Sequence, residues 1–217
     1  MPESVKRRGS SGPTTGAMLG LWSGVVAIKR EGYGRAVQLL LAMVLLMWGL
    51  EVLDTALDHR LDGGGIVPRE AEGLDGVIAA PFLHVGFGHL LANTLPFVAM
   101  GLVIGLEGPW RLLGVTAIVA VISGLGTWLI APADTIHLGA SGVVFGYATY
   151  LIARGLFNRR PAELAIGALV AVLWGGALLA GLEPQQGISW QGHLFGAIGG
   201  VVAARALSER REAGRSI

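Results

Sequence analysis

The chain has 217 residues, 53% hydrophobic and 14% charged, with a mean hydropathy of +0.62 and a formal net charge of +1. A soluble domain carries about 25% charged residues, and the apolar excess here lies in long blocks, so an integral membrane protein is expected. There is no cysteine, which excludes a disulfide framework, thiol catalysis and Cys-ligated metal; the net charge says nothing about partners, and no nucleic-acid partner is expected.

Residues 1–16 are basic and rich in Ser, Gly and Pro, a composition expected to be disordered. Residues 17–28 are apolar but short for a span. Ending at Lys29 and Arg30, they read as a segment lying on the membrane surface. Nothing here reads as a cleavable signal, because the first strong apolar run comes late and is long enough to stay as a span. Residues 1–35 are therefore assigned to a basic, partly disordered cytoplasmic segment.

The first span is expected over residues 36–53. Glu51, Asp54 and Asp58 fall in one helical sector near its end. Such a sector is either solvated at the membrane boundary or lines a water-filled cavity. Residues 59–75 form a polar loop with three consecutive glycines at 63–65 and Pro68. Residues 77–82 enter or skim the membrane until Pro81 breaks the run. The second span, 86–106, carries His89 and Asn93 at i,i+4, on one helix face. Pro96 lies one turn deeper and frees a carbonyl near Ala92.

The third span, 112–130, offers only Ser123, Gly124 and Gly126 as packing residues. The fourth lies in the charge-free stretch 135–153 and carries Ser141. The fifth, 164–182, is glycine-rich and silent. The sixth, 190–204, carries His193, with Gly196, Ala197, Gly200 and Ala204 beneath it on one face. No internal repeat is evident.

Of the sixteen Lys and Arg, fourteen lie in residues 1–35, 107–111 and 154–160 and in the tail after 204. Loops 54–75, 131–137 and 183–189 hold only Arg60 and Arg69. By the positive-inside rule this describes six spans with both termini cytoplasmic. The domains expected are the N-terminal segment, a six-helix membrane unit over 36–207, and a short basic cytoplasmic tail over 208–217.

In this topology His89, Asn93, Ser141 and His193 all lie near the external ends of their helices. At ~1.5 Å per residue they sit roughly 5–10 Å below the outer surface. Histidine inside a span is a functional hypothesis by default. Each of these groups alone also suits an interhelical hydrogen bond, and the small residues around Ser141 also suit close packing. Their shared depth favours chemistry. Serine is a weak nucleophile that needs an adjacent base. His193 can take its proton and return it to the leaving amine. The small-residue stripe on the sixth helix would bring the two helices close, and Phe145, one turn below Ser141, can pack on the imidazole. His89, Asn93 and the Ser141 backbone N–H are candidates to hold an oxyanion. No carboxylate is spaced to complete a triad. His137, four residues before Ser141, is a rival base in the loop. The stretch Gly139 to Val143 lacks the last glycine of a G-x-S-x-G elbow, which excludes a soluble α/β-hydrolase.

Three elements carry a resemblance: residues 82–93, with His84, His89 and Asn93; Gly139, Ala140, Ser141 and Gly142; and residues 192–200, with His193, Gly196 and Gly200. In order and spacing they resemble the rhomboid intramembrane serine proteases from about residue 36 to 207. The resemblance implies an all-α, six-helix membrane bundle in a bacterial cell membrane, with its site facing the outer side. It implies a Ser141–His193 dyad without an acid and an oxyanion site at Asn93 and His89. It also implies hydrolysis of peptide bonds at the outer end of transmembrane protein substrates, in the lipid bilayer, without cofactor or metal. His84 matches a family histidine with a structural role. Two departures stand out. Loop 59–75 has no Trp-Arg pair, and Phe145 stands where some members carry tyrosine.

A non-catalytic protein of the same fold that binds transmembrane clients is the competing class. Loss of the serine or histidine would favour it, and both are present. A transporter would want broken helices and repeat symmetry, and the sequence has neither.

Overall fold

The computed structural model describes the backbone of residues 15–208 and the side chains of residues 30–208. The disorder expected before Thr15 and the basic tail beyond residue 208 fall outside the described residues. The described chain forms seven α-helices: α1 (Thr15–Ala56), α2 (Gly76–Ala79), α3 (Gly86–Gly105), α4 (Pro109–Ile130), α5 (Ser141–Asn158), α6 (Pro161–Ala180) and α7 (Trp190–Ala206). Strand-like pairing among the described residues is a single bridge between Ile66 and His137.

Among the described residues, four stretches are long and apolar enough to cross a membrane: Arg30–Ala56, Gly86–Gly105, Pro109–Ile130 and Pro161–Ala180. They belong to α1, α3, α4 and α6. α5 and α7 are shorter, at 18 and 17 residues, and lie at the centre of the bundle. They therefore tolerate more polar side chains. α5 is buried along most of its length, from Gly142 to Gly155.

α1 runs without a break from Thr15, so residues 17–28 continue into the helix of the first expected span, and residue 35 lies within that one helix. Lys29 and Arg30 look like a stop in the sequence. Both are good helix formers, however, and neither Pro nor a capping residue interrupts the helix there. Glu51 and Asp54 are buried, while Asp58 is exposed, so the acidic sector is not uniformly solvated.

The core joins Leu40 and Met47 of α1, Leu90, Phe97, Met100 and Ile104 of α3, Leu112, Val115 and Val119 of α4, and Val143, Tyr147 and Leu151 of α5. Tyr147 stacks on Phe97 with ring centroids 5.3 Å apart, and its hydroxyl meets Thr116 Oγ1 at 2.6 Å. A buried Tyr thus keeps its one polar atom partnered. At the end of the bundle opposite Ser141, Arg154 pairs with both Glu107 and Glu163, tying the α3–α4 turn to α6. Pro109 and Pro161 sit in the first turns of α4 and α6, where the missing N–H costs nothing.

The connection from α1 to α3 folds onto α4. Ile66 and His137 exchange backbone hydrogen bonds of 2.8 and 3.0 Å. Arg69 Nη1 donates to Ala131 O at 2.6 Å, and Trp128 Nε1 donates to Glu70 O at 2.8 Å. The stretch expected to skim the membrane is α2 followed by a 3-10 turn over Ala80–Phe82. Val77 of α2 rests on Gly124 of α4, where a Cβ would stand 2.8 Å from Val77 Cγ1.

Candidate active site

Ser141 opens α5, so its own N–H and those just after it lack helical partners. The chain arrives through Gly139, whose φ of +119° is a glycine conformation. A side chain at Gly139 would also strike the His89 ring, 2.7 Å from Cε1. Two hydrogen bonds anchor this turn. Gly139 N donates to Ala80 O at 2.8 Å, and Ala140 N donates to His84 Nε2 at 3.2 Å. Burial, and then the neighbouring His89, pull the His84 pKa down to about 4. The ring is neutral near pH 7 and free to accept.

His193 lies one turn into α7, whose start is capped by Ser189 accepting from Gly192 N. Its Nε2 is 2.8 Å from Ser141 Oγ. Its Nδ1 is 2.7 Å from the carbonyl oxygen of Gly181. A carbonyl can only accept, so Nδ1 carries the proton and Nε2 accepts from the serine hydroxyl. The Phe145 ring lies flat on the imidazole, centroids 4.1 Å apart and planes 10° apart. The dipole of one carbonyl and the face of one ring therefore set the orientation of His193, and no carboxylate among the described residues bonds it.

Backbone contact brings the two helices this close. A Cβ on Gly196 would stand 2.8 Å from the carbonyl carbon of Gly142, and one on Gly200 would stand 2.8 Å from that of Gly146. From the other side, a Cβ on Gly146 would meet Gly196 O at 2.9 Å. Normal helix pairs sit ~8–10 Å apart, and glycine against glycine permits the near end of that range or less. Thr149 Oγ1 donates across the crossing to Ala197 O at 2.8 Å. Ser123 of α4 donates to Gly192 O at 2.8 Å.

Asn93 and His89 line the same cleft of about 950 Å³ as Ser141 and His193, roofed by residues 184–191. Asn93 Nδ2 donates to His89 O, one turn back, at 3.0 Å. The amide has a second N–H free. The His89 ring rests on Gly139 and edge-on to His84, centroids 5.2 Å apart. His137 does not reach Ser141. Its Nδ1 meets Ser189 Oγ and its Nε2 meets Thr135 Oγ1, both at 2.8 Å. It ties the serine loop to the cap of α7, and burial lowers its pKa.

Four residues of this site carry little or no mark of the role in the sequence. Gly181 contributes only a carbonyl, which every residue has. Ser123 stood out as a packing residue, not as a donor. His84 and Ser189 were legible in part: a serine three residues before Gly192 is an N-cap signal.

The rhomboid-domain family model matches residues 72–210. An uncharacterized protein of Mycobacterium tuberculosis is 42% identical over 188 residues, which cover 82% of this chain and 78% of that protein. The putative rhomboid protease YdcA of Bacillus subtilis is 29% identical over 137 residues, covering 63% of this chain and 68% of that one. The rhomboid protease GluP of Bacillus subtilis is 31% identical over 126 residues, covering 58% of this chain and 24% of that one.

Proposed function

The chain belongs to the rhomboid family, and from that premise we propose that it is an intramembrane serine endopeptidase acting through Ser141 and His193. The observation that carries the proposal is the 2.8 Å contact between Ser141 Oγ and His193 Nε2, with Nδ1 held on the Gly181 carbonyl. Ser141 Oγ attacks the scissile carbonyl carbon as Nε2 takes the hydroxyl proton. The tetrahedral intermediate places negative charge on the former carbonyl oxygen. The free N–H of Asn93, the His89 ring and the Ser141 backbone N–H are the donors that face it. Collapse expels the amine, protonated by His193, and leaves an acyl-enzyme. Water, deprotonated by the same imidazole, then releases the acid and regenerates the serine.

The substrates are transmembrane proteins, cut at or near the outer end of their membrane segments. In this reading α1, α3, α4, α5, α6 and α7 all cross the bilayer. α5 and α7 reach only about 27 and about 26 Å at 1.5 Å per residue, and their neighbours shield their polar groups. Both termini are cytoplasmic, the membrane unit covers residues 36–207, and the segments on either side of it are cytoplasmic.

A fluorophosphonate probe tests the nucleophile. The wild type is expected to label, and Ser141→Ala and His193→Ala to fail. Undiminished labelling of folded Ser141→Ala would refute the assignment. Labelling lost in His137→Ala yet kept in His193→Ala would move the base to the loop. Asn93→Ala tests the oxyanion site. Losing one donor of that kind typically costs ~10²–10³ in turnover, against ~0.6 kcal/mol of stability for an average membrane hydrogen bond. Peptide cleavage and melting measured in the same lipid separate the two, and a rate within a few-fold of wild type would make Asn93 a packing residue.

A further inference from the structure

At the C-terminal end of α1 the chain reverses through Asp58 and His59, both with positive φ. The turn folds His59 back onto its own helix. His59 Nδ1 comes within 3.1 Å of Asp54 Oδ2, and Leu61 N donates to Asp54 Oδ1 at 2.6 Å. One ligand atom each from Asp54, His59 and Asp62 falls within 4.8 Å of the others. Asp54 is 3% exposed and His59 53% exposed at the side chain, so the group is closed on one side and open on the other.

Glu51 supplies an independent observation. It lies one turn before Asp54 on the same face of α1, and it is 2% exposed. Neither carboxylate oxygen has a hydrogen-bond partner, and Asp62 Oδ1 is likewise buried without one. The polar surroundings of Glu51 are the carboxylates of Asp54 and Asp62, the His59 ring and the backbone of Gly86 at the start of α3. Three carboxylates thus face one another, and His59 is the basic side chain set among them. A buried carboxylate needs a countercharge or a proton.

We propose that Asp54, His59 and Asp62, with Glu51 behind them, form a divalent-cation site of the zinc class at the C-terminal end of α1. The donor set selects the class. Calcium and magnesium favour all-oxygen surroundings, whereas one imidazole with carboxylates suits zinc and its d-block neighbours. Ligands ~2.0–2.2 Å from a tetrahedral zinc lie about 3.4 Å apart, so atoms now within 4.8 Å of one another would draw together on binding, which the exposed His59 side chain can do by rotation. His59 is open to the surface, which gives an entry path. A bound ion would offset the carboxylate charges and hold the turn against the start of α3, the helix that carries His89 and Asn93. The site lies outside the Ser141–His193 pair and stands whether or not that pair is catalytic.

The test uses the full chain, purified in micelles, freed of any affinity tag and washed with chelator. Titration calorimetry and thermal melting are then run with zinc, manganese, calcium and magnesium chlorides. Zinc is expected to bind saturably at one per chain and to raise Tm, with manganese weaker and calcium and magnesium inert at the same concentration. His59→Gln and Asp62→Asn each weaken zinc binding by about tenfold or more and remove the rise in Tm. His59 is exposed and Asp62 half-buried, and both substitutions keep side-chain size, so the metal-free variants are expected to melt close to the metal-free wild type. Absence of saturable zinc binding would overturn the proposal, leaving Glu51 and Asp62 held neutral by protons. So would zinc binding undiminished in both variants, or calcium or magnesium binding as tightly as zinc.

Discussion

α6 and α7 flank α5, are apolar, and are rich in glycine, yet toward the site their glycines do opposite things. Gly167 of α6 meets the α5 backbone, where a Cβ would stand 3.1 Å from Ile152 Cα, only far from Ser141. Along α7, Gly196 and Gly200 face the backbone of Gly142 and Gly146, so closely that a methyl group has no room. Along α6, Gly175 and Gly176 have no heavy atom within 4 Å of where a Cβ would stand. α6 buries only Gly167 and Val170 along its length and leaves Val172 80% and Leu179 71% exposed. A glycine count therefore says nothing about closeness; what matters is whether a glycine looks at a backbone. The Ser141–His193 contact sits on the tight crossing, because 2.8 Å between side chains of two helices requires backbones that cannot move apart. α6 reaches the site only past its end, through the Gly181 carbonyl.

The strongest way to break this contrast is Gly200→Val. Gly200 lies two turns from His193 and touches nothing reactive, so any loss of cleavage acts through helix spacing. Overpacking typically costs ~1–3 kcal/mol, occasionally more. The upper end is expected, because the atoms in the way are the carbonyl of Gly146 and Thr149 Oγ1, and the carbonyl belongs to a backbone that cannot rotate aside. Peptide cleavage and fluorophosphonate labelling should both be lost in a bundle that still folds, with Gly196→Val as severe. Full activity in either variant would mean that Ser141 and His193 are held together by something other than this crossing.

This crossing was the most legible part of the molecule. Small residues at 196, 197, 200 and 204 repeat at helical spacing, and that periodicity depends on local sequence alone. The stacking of Phe145 on His193 follows from one turn of helix for the same reason. What stayed hidden depends on contacts between distant segments. The Gly181 carbonyl has no side-chain signature. The docking of the α1–α3 connection on Trp128 and Ala131 uses backbone groups that any residue could offer. The uninterrupted start of α1 is hidden for another reason: Lys29 and Arg30 read as a boundary although their helix propensity permits continuation.

The packed side of the molecule should also be the acid-sensitive side. His84 is buried beneath the serine loop, with its pKa drawn down to about 4 by desolvation and by His89. An unfolded histidine titrates near 6.5. Between those values the unfolded chain binds the proton and the folded chain does not, so stability rises with pH there. Stability is full above about pH 6.5 and falls as pH drops toward 4, by on the order of 3 kcal/mol from this group. His84→Gln should flatten the pH dependence of Tm in that window. An unchanged slope would place the acid-labile group elsewhere.

A smaller effect is expected where α4 meets α7. Ser123 Oγ donates to Gly192 O at 2.8 Å, and a Cβ on Gly142 would collide with it. Ser123→Ala removes the donor and leaves the glycine crossing in place. Membrane hydrogen bonds average ~0.6 kcal/mol and reach about 1.7, so a Tm drop of a few degrees is expected with cleavage reduced only a few-fold. A loss as complete as that of Gly200→Val would make the hydrogen bond, rather than the backbone contact, the main positioner of α7.

The smallest effect has the opposite sign, and it tests the loose side of the comparison. Gly176 lies within α6, exposed, and a Cβ there meets no atom within 4 Å. With no neighbour to strike, Gly176→Ala changes only the backbone. Glycine inside a helix is less favourable than alanine by about 0.8–1.0 kcal/mol in water. Much of that comes from the freedom of the unfolded chain, which the membrane partly restricts already, so a gain of a few tenths of a kcal/mol is expected. Tm should rise slightly. The same glycine-to-alanine change at Gly196 must instead push apart two backbones and lower Tm. Measured side by side in one lipid, the two variants isolate packing from propensity. If Gly176→Ala is as damaging as Gly196→Ala, α6 packs against a surface on this face, and its glycines are spacers like those of α7.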